Sequence, residues 1–375
     1  MRHALKAKRI FTGDRMLIDH VVVIRDKIIE DVVPASELGA GLAIGDLGDS
    51  LLTPGFIDVQ VNGGGGVNLN KTPTVEGVVA MMKAHRRFGT TGMLPTVITD
   101  TPEVQHRAAE AVAAARKLHP EILGIHVEGP FLDPRRKGAH DEALIRAITA
   151  PDITWLTALE CGEVLLTLAP NKVAAADIRT LADAGIHISL GHAEATSAEV
   201  NAALEAGAAA FTHLFNAMSQ FSPREPAMVG TALISEQAYV GIIADGFHVH
   251  AGSLKLAFAA KRHDHFMLVT DAMSTAAGGP PQFMLQNRTV QLRNGRLELS
   301  DGTLAGSNLT MDEAVRFCVN HVGLKLESAL AMASTNPAQF LGLGSRLGRI
   351  APGYLASLVN LDNEWRVKQT WVEGQ

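Results

Sequence analysis

Hydrophobic and polar positions alternate in two different ways along this chain. Over residues 1–54 the apolar residues come in short β-rich pieces, Ile10-Phe11, Val21–Ile24 and Ile28–Val33, separated by charged or glycine-containing turns. This pattern predicts a small sheet. From Gly55 onward, short apolar runs alternate with stretches of helical spacing, which predicts a parallel α/β arrangement. Eight runs are visible: Phe56–Gln60, Met93–Ile98, Ile122–Val127, Val164–Leu168, Ile186–Leu190, Ala209–His213, Tyr239–Ala244 and Phe266–Thr270. Eight strand-then-helix repeats in about 215 residues match a (β/α)8 TIM-like barrel in number and size. Helix-start chemistry points the same way. Thr72-Pro73 and Thr101-Pro102 place a cap before a proline, and Thr196–Glu199 and Thr310–Glu313 read as capping boxes.

After the eighth run, Val290–Leu292 and Leu297–Leu299 flank an Asn294-Gly295 turn, a hairpin read as decoration on the barrel. Two helical stretches follow, near Thr310–Val322 and Glu327–Ser334, before β-like sequence returns through Leu355–Leu361 and Trp371. The expected fold class is therefore α/β. Residues 55–346 form the barrel, and residues 1–54 plus 347–375 form a small β-sandwich domain built from both chain termini.

In such a barrel the reactive groups project from the C-terminal strand ends and the loops after them. Reading just past each run gives Gln60 and Asn62, Thr96, Glu128, Ala169, His192, His213, Asp245 with His248, and Asp271. Glu128, His192 and His213 have the composition of a catalytic divalent-metal site, two imidazoles and one carboxylate with a position left open for water. Asp271 then suits general acid–base work. Each residue alone fits a plainer role, a hydrogen-bonded strand end or a helix cap. Their joint placement at different strand ends favours metal. The Gly63–Gly66 run lacks a following Lys-Ser/Thr and reads as a turn, not a phosphate loop. His85, His106 and His119 read as surface residues of helices, and His187 as structural.

Composition narrows the function further. The 33 Lys and Arg against 39 Asp and Glu give a net charge of −6, which excludes a global basic field for nucleic acid or an anionic membrane. Any anionic ligand needs a local pocket. Cys161 and Cys318 are far apart with no CxxC spacing, so they predict inert thiols, not a disulfide framework or a thiolate zinc site. No signal-peptide h-region follows the basic start and no stretch of 18 apolar residues occurs, so the expected location is cytoplasmic.

The motifs resemble the N-acetylglucosamine-6-phosphate deacetylase family of the amidohydrolase superfamily. The matching segments are Pro54–Gly63, His126–Phe131, Gly191-His192, Thr212–Met218, Arg224–Pro226, Ala244–Val249 and Val269–Ala272, in the family's order, with Gly348–Gly353 at the return into the small domain. The resemblance implies Glu128, His192 and His213 as metal ligands and Asp271 as catalytic acid–base. It implies that His140 contacts the substrate and polarises the acetyl carbonyl. A phosphate would be held by Asn216 and Ala217 through backbone N–H groups, and by Arg224 and His248 reaching from the neighbouring subunit of a homodimer.

Many amidohydrolases carry His-x-His after the first strand for a second metal. Gln60-Val61-Asn62 stands there instead, a vestigial second-metal position, so one divalent metal per subunit is expected. Zinc is the first choice, with iron, cobalt, nickel and manganese also compatible. The implied reaction is hydrolysis of the acetamide of N-acetylglucosamine 6-phosphate to glucosamine 6-phosphate and acetate. The alternatives are another acylated amino sugar phosphate, such as N-acetylgalactosamine 6-phosphate, or a cyclic amide. A non-catalytic barrel would be expected to show broken catalytic positions, and all four are intact.

Overall fold

The structure, a computed structural model, describes residues 2–39 and 41–375. Its centre is a sheet of eight parallel strands: β1 (Phe56–Val61), β2 (Thr90–Ile98), β3 (Gly124–Glu128), β4 (Glu163–Leu168), β5 (His187–Leu190), β6 (Ala210–Phe211), β7 (Tyr239–Ile242) and β8 (Phe266–Leu268). Each is a short run buried along all or nearly all of its length, as expected of a parallel sheet covered by helices. Strands β6 to β8 are shorter than the apolar runs that predict them. Beyond Phe211 and Leu268 the backbone leaves the ladder, with His213 at φ 33° and Asp271 at φ 50° turning side chains toward the barrel mouth.

The sheet runs in order from β8 to β1, and the seam between those two closes by other means. At the mouth, Asp271 N donates to Gln60 O at 2.9 Å, and Asn62 N and Gly63 N donate to Ala272 O at 2.9 and 2.8 Å. Deeper, Asp58 spans the gap with its carboxyl. Thr270 Oγ1 donates to Asp58 Oδ2 at 2.5 Å, and the backbone N–H groups of Gln60 and Thr270 donate to Oδ1 at 3.2 and 3.3 Å. A side chain thus replaces a missing stretch of ladder, which fixes the strand carrying Gln60 and Asn62 beside the one that leads to Asp271.

Helices cover the barrel, among them Pro102–Arg116 and Ser197–Glu205. The Thr196–Glu199 box is present, with Thr196 N donating to Glu199 Oε2 at 2.8 Å and Glu199 N to Thr196 Oγ1 at 3.3 Å. Thr310 N likewise donates to Glu313 Oε2 at 3.0 Å. The first helix departs from expectation. It spans Val75–Arg86 and is capped by Thr74, whose Oγ1 accepts from Gly77 N at 3.1 Å, so Thr72-Pro73 lies just ahead of it. Arg2–Phe11, Met16–Arg25, Ile28–Pro34, Ala43–Asp46 and Leu51–Pro54 join Leu358–Leu361 and Val367–Trp371 in one seven-stranded sheet. The ends meet where Leu358–Leu361 pairs antiparallel with Leu51–Pro54, over a core that includes Ile10, Leu52, Leu358 and Trp371.

The predicted hairpin is the outer part of a three-stranded insert, β9 (Gln282–Leu285), β10 (Arg288–Arg293) and β11 (Arg296–Glu298). Leu285, Val290 and Leu297 pack with Ile98 at the end of β2 and Met273 of the loop after β8. The insert is thereby built onto the mouth, and its reading as mere decoration is corrected below.

Burial pushes the Asp58 carboxyl up from 3.8 to about 7, against the hydrogen bonds it receives. A raised acid pKa favours the protonated form in the folded chain. Its contribution is therefore full below the unfolded value and is lost as pH rises through about 7. Asp58→Asn stays neutral throughout. The difference in melting temperature, wild type minus variant, should fall between about pH 5 and about pH 8; a difference independent of pH would contradict the assignment.

Candidate functional site

Each candidate side chain reaches the mouth from a strand end. Glu128 is the last residue of β3, His192 lies two residues past β5 and His213 two past β6. All three are buried. Glu128 Oε1 lies 3.2 Å from His192 Nε2 and 3.1 Å from His213 Nε2, and the two nitrogens are 3.1 Å apart. Hydrogen bonding alone cannot account for this triangle. Two neutral imidazoles supply at most two Nε2 protons, so one of the three edges always lacks a donor, whichever tautomers are chosen. A central cation satisfies all three edges. Tetrahedral ligands at zinc-like bond lengths stand about 3.3 Å apart, close to the separations here.

The outer contacts agree. His192 Nδ1 donates to Arg136 O at 2.9 Å, which leaves the Nε2 lone pair facing the triangle. The backbone of the adjoining segment is tied in as well, with Asp133 N donating to His192 O at 2.9 Å. Burial raises the Glu128 carboxyl, but the adjacent His192 and His213 rings outweigh it and hold the group well below its ordinary value. Among the described residues, Glu128, His140 and His192 also bring ligand atoms within 4.8 Å of one another. The set with His213 is the tighter one, with edges of 3.1–3.2 Å, and His140 Nδ1 is engaged at 2.7 Å by Thr99 Oγ1.

Asp271 is buried at the same mouth, pushed up to about 6 by burial and by the Glu128 charge. The carboxyl is mostly ionised at neutral pH, yet close enough to it to hold a proton. Its Oδ1 accepts from Asn62 Nδ2 at 2.5 Å and from Gln60 Nε2 at 3.4 Å, and Gln60 Nε2 also reaches Glu128 Oε1 at 3.2 Å. The residues at the presumed vestigial position therefore bridge both carboxylates. His192, His213, Ala217 and Asp271 all adopt positive φ, between 33° and 52°. Such backbone costs of order 1 kcal/mol or more per residue and persists only where the surroundings enforce it.

A cavity of about 290 Å³ opens over these groups, lined by Asn62, Glu128, His140, His192, His213, Asn216, Ala217, His248 and Asp271. Its volume suits a monosaccharide-sized ligand, not a polymer. His248 lines the cavity of its own chain, its Nδ1 held by Asp245 Oδ2 at 2.7 Å, so the expected reach of His248 into a neighbouring site is not required. Arg224 is exposed and lies outside the lining. The backbone N–H of Asn216 is already committed to His213 O at 3.0 Å and its Nδ2 donates to His213 O and Leu214 O at 3.4 and 3.3 Å, while Asn216 and Ala217 both line the cavity. Thr96 and Ala169, read as strand-end candidates, lie outside the lining. Thr96 instead joins a buried relay beneath the mouth, through His126, Thr167 and Thr212 to Ser189.

Several wall residues escaped the sequence reading. Leu285, Thr303, Leu304, Ala305 and Gly306 come from the insert and the segment after it, Ile98 from the end of β2 and Met273 from the loop after β8. The insert also braces the His140 loop, with Arg288 Nη2 donating to Ala139 O and Gln286 Nε2 to Thr99 O. Thr99 itself was missed. Only its position one residue past β2 could have signalled it. His85 corrects a further expectation: it is fully buried, and its Nε2 donates to Gly63 O at 2.9 Å, supporting the loop after Asn62. His106 is exposed, and His187 contacts Glu163 Oε2 at 3.1 Å. Burial pushes the Cys161 and Cys318 thiols up to about 11 and about 12, which keeps both protonated and unreactive.

A model described as the amidohydrolase family matches residues 51–375, and one described as the NagA composite domain matches residues 3–52. The chain is 47% identical over 327 residues to an N-acetylgalactosamine-6-phosphate deacetylase of Shewanella sp. (strain ANA-3), covering 86% of this chain and 82% of that protein. It is 36% identical to an N-acetylglucosamine-6-phosphate deacetylase of Haemophilus influenzae, covering 100% and 99%. Among solved structures, N-acetylglucosamine-6-phosphate deacetylase from Pasteurella multocida superposes with a TM-score of 0.97 at 36% identity, covering 100% and 99%. A mutant of the Mycobacterium smegmatis enzyme in complex with N-acetyl-D-glucosamine-6-phosphate gives 0.93 at 31%, covering 100% and 98%.

Burial and the neighbouring His192 lower His140 to about 3, so its ring is neutral near physiological pH. Thr99 Oγ1 lies 2.7 Å from His140 Nδ1 and donates to Glu128 O at 3.4 Å, so one hydroxyl fixes the orientation of the ring. Histidine ¹⁵N spectra should show one ring that stays neutral in a single tautomer down to about pH 5, and Thr99→Val should release that tautomer preference. A His140 midpoint near the ordinary histidine value would contradict this.

Proposed function

The chain belongs to the amidohydrolase family, and we propose that it hydrolyses the acetamide of N-acetylglucosamine 6-phosphate, giving glucosamine 6-phosphate and acetate. The single observation that carries this reading is the Glu128–His192–His213 triangle, 3.1–3.2 Å on each edge, standing beside buried Asp271 in one cavity. The printed activities of the relatives and of the solved structures support the same chemistry. On this reading residues 55–346 are the catalytic barrel, and residues 1–54 with 347–375 form the companion β domain. No helix among the described residues is long and apolar enough to cross a membrane, which supports a cytoplasmic assignment.

Glu128, His192 and His213 would hold one divalent cation, with zinc the first choice and iron, cobalt, nickel or manganese compatible with the same donors. When bound, such an ion supplies Lewis acidity, activating water near neutral pH and polarising the acetamide carbonyl. His140, a neutral ring, donates a hydrogen bond to the developing carbonyl oxyanion. Asp271 accepts the proton of the attacking water and returns it to the departing amine, so that acetate and a protonated amino sugar leave. Asn216, Ala217 and His248 hold the phosphate end within the same chain. Arg224, exposed in the single chain, would complete that end from the neighbouring subunit of a homodimer. A guanidinium fork suits phosphate oxygens, and a chain of net charge −6 has to provide such a group locally.

The galacto epimer is the second reading, favoured by the 47% identity to the Shewanella N-acetylgalactosamine-6-phosphate deacetylase. The ratio of kcat/KM for the two 6-phosphates decides between them, and the unphosphorylated sugars should be poor substrates of either form. If unphosphorylated N-acetylglucosamine is turned over as well as its phosphate, the phosphate assignment of His248 and Arg224 is wrong.

Asp271→Asn should retain the metal content of the wild type and lose about 10²- to 10⁴-fold in kcat, the usual worth of a positioned general acid–base. Turnover near that of the wild type would remove Asp271 from the mechanism. Mixing Arg224→Ala with Asp271→Asn under subunit exchange should restore activity that neither has alone, because one composite site then holds both native residues. Absence of any recovery would place Arg224 outside the neighbouring site.

A further inference from the structure

Asn62 is buried in the cavity wall and uses only half of its amide. Its Nδ2 donates to Asp271 Oδ1 at 2.5 Å. Its carbonyl oxygen, Oδ1, is buried and has no hydrogen-bond partner. The amide cannot be turned around, since that would set a carbonyl oxygen against a carboxylate oxygen at the same 2.5 Å. The group is also held from behind. Asn62 N donates to Ala272 O, and Leu69 N donates to Asn62 O at 3.0 Å, so the backbone on both sides is fixed. A buried acceptor left unpaired costs free energy, and a site that tolerates one usually receives its donor from a ligand. With Gln60 Nε2 also on Asp271 Oδ1, that oxygen is saturated by donors and Oδ2 is left as the atom that exchanges a proton.

We propose that Asn62 is a catalytic residue that ties the leaving nitrogen to the acid–base: its Nδ2 orients Asp271, while its Oδ1 accepts the N–H of the substrate's acetamide and then of the amine formed. The inference rests on the assignment of Asp271 as acid–base. It makes the position after the first strand a working part of the site and not the remnant of a second metal position. In the hydrolytic step no atom of Asn62 is gained or lost. The C–N bond breaks, the proton on Asp271 Oδ2 passes to nitrogen, and Asn62 holds both partners of that transfer in place. A neutral amide suits the task, because it accepts from the amide N–H before cleavage and from the protonated amine afterwards.

The test uses the full-length metal-loaded enzyme with N-acetylglucosamine 6-phosphate, in Asn62→Leu, which keeps the volume without donor or acceptor, and in Asn62→Ala. Both should lower kcat by at least about 30-fold with KM within about threefold, at unchanged metal content. A change confined to KM, or kcat within threefold of the wild type in a folded variant, would overturn the proposal. Should Asp271→Asn prove active while Asn62→Leu is impaired, the acid–base assignment fails instead. A measurement on the unaltered protein covers the case in which both variants misfold. Glucosamine 6-phosphate should inhibit at least about tenfold more strongly than 2-deoxyglucose 6-phosphate, which offers no hydrogen to Asn62 Oδ1. Equal inhibition would overturn the proposal independently of any variant.

Discussion

Three ligand atoms held about as close as nonbonded oxygen and nitrogen can approach, with too few protons to link them, set the terms for the rest of this molecule. Glu128 Oε1, His192 Nε2 and His213 Nε2 come from three different strand ends. Without a cation the carboxylate and rings compete for hydrogens that do not exist; with one, every lone pair has a use. The scaffold is arranged so that the three cannot move apart. His192 is held through both its ring and its carbonyl by the Asp133–Arg136 segment. Beneath the mouth, the side chains of Thr96, His126, Thr167, Thr212 and Ser189 link five neighbouring strands in a buried polar chain. Burial lowers His126 to about 4, so that chain is neutral and adds no competing charge below the site.

The same constraint explains where strain is accepted. Positive φ at His192, His213 and Asp271 shortens the ladder by a residue or two and points each side chain inward. The seam between β8 and β1 is the weak point of the barrel, and Asp58 spans it with one carboxyl and three donors. That seam is also where Asn62 meets Asp271, so closure of the barrel and the orientation of the Asp271 carboxyl depend on the same few atoms. The insert acts from the opposite side. With the segment after it, it walls the mouth through Leu285 and Ala305, and it holds the loop of His140 through Arg288.

What could be read from the sequence follows the same physics. Parallel strands buried on both faces leave continuous apolar runs, so eight of them were visible, and a histidine or carboxylate ending such a run is conspicuous. Glu128, His192, His213 and Asp271 were legible for that reason. Their backbone conformation was not, because αL geometry at a histidine leaves no mark in composition. Thr99 and Arg288 act through hydrogen bonds to groups distant in sequence, and nothing local distinguishes them from other threonines and arginines. His85 looked like a surface residue because helical spacing does not reveal that a glycine loop lies over it. The cap at Thr74 was misplaced to Thr72 because a Thr-Pro pair carries a stronger local signal than the Thr-x-x-Gly sequence that actually binds. The family resemblance suggests roles for His140, Asn216, Ala217, Arg224 and His248 that spacing alone could not, and in the single chain His248 lines the cavity while Arg224 stands outside it.

The account turns on a single cation seated in the triangle. Crystals of the protein loaded with zinc, measured on both sides of the zinc absorption edge, locate that ion directly. The expected result is one anomalous peak per chain, about 2.0–2.2 Å from Glu128 Oε1, His192 Nε2 and His213 Nε2. A peak on His140 without His213, or a second peak of comparable height beside Gln60 and Asn62, would contradict it.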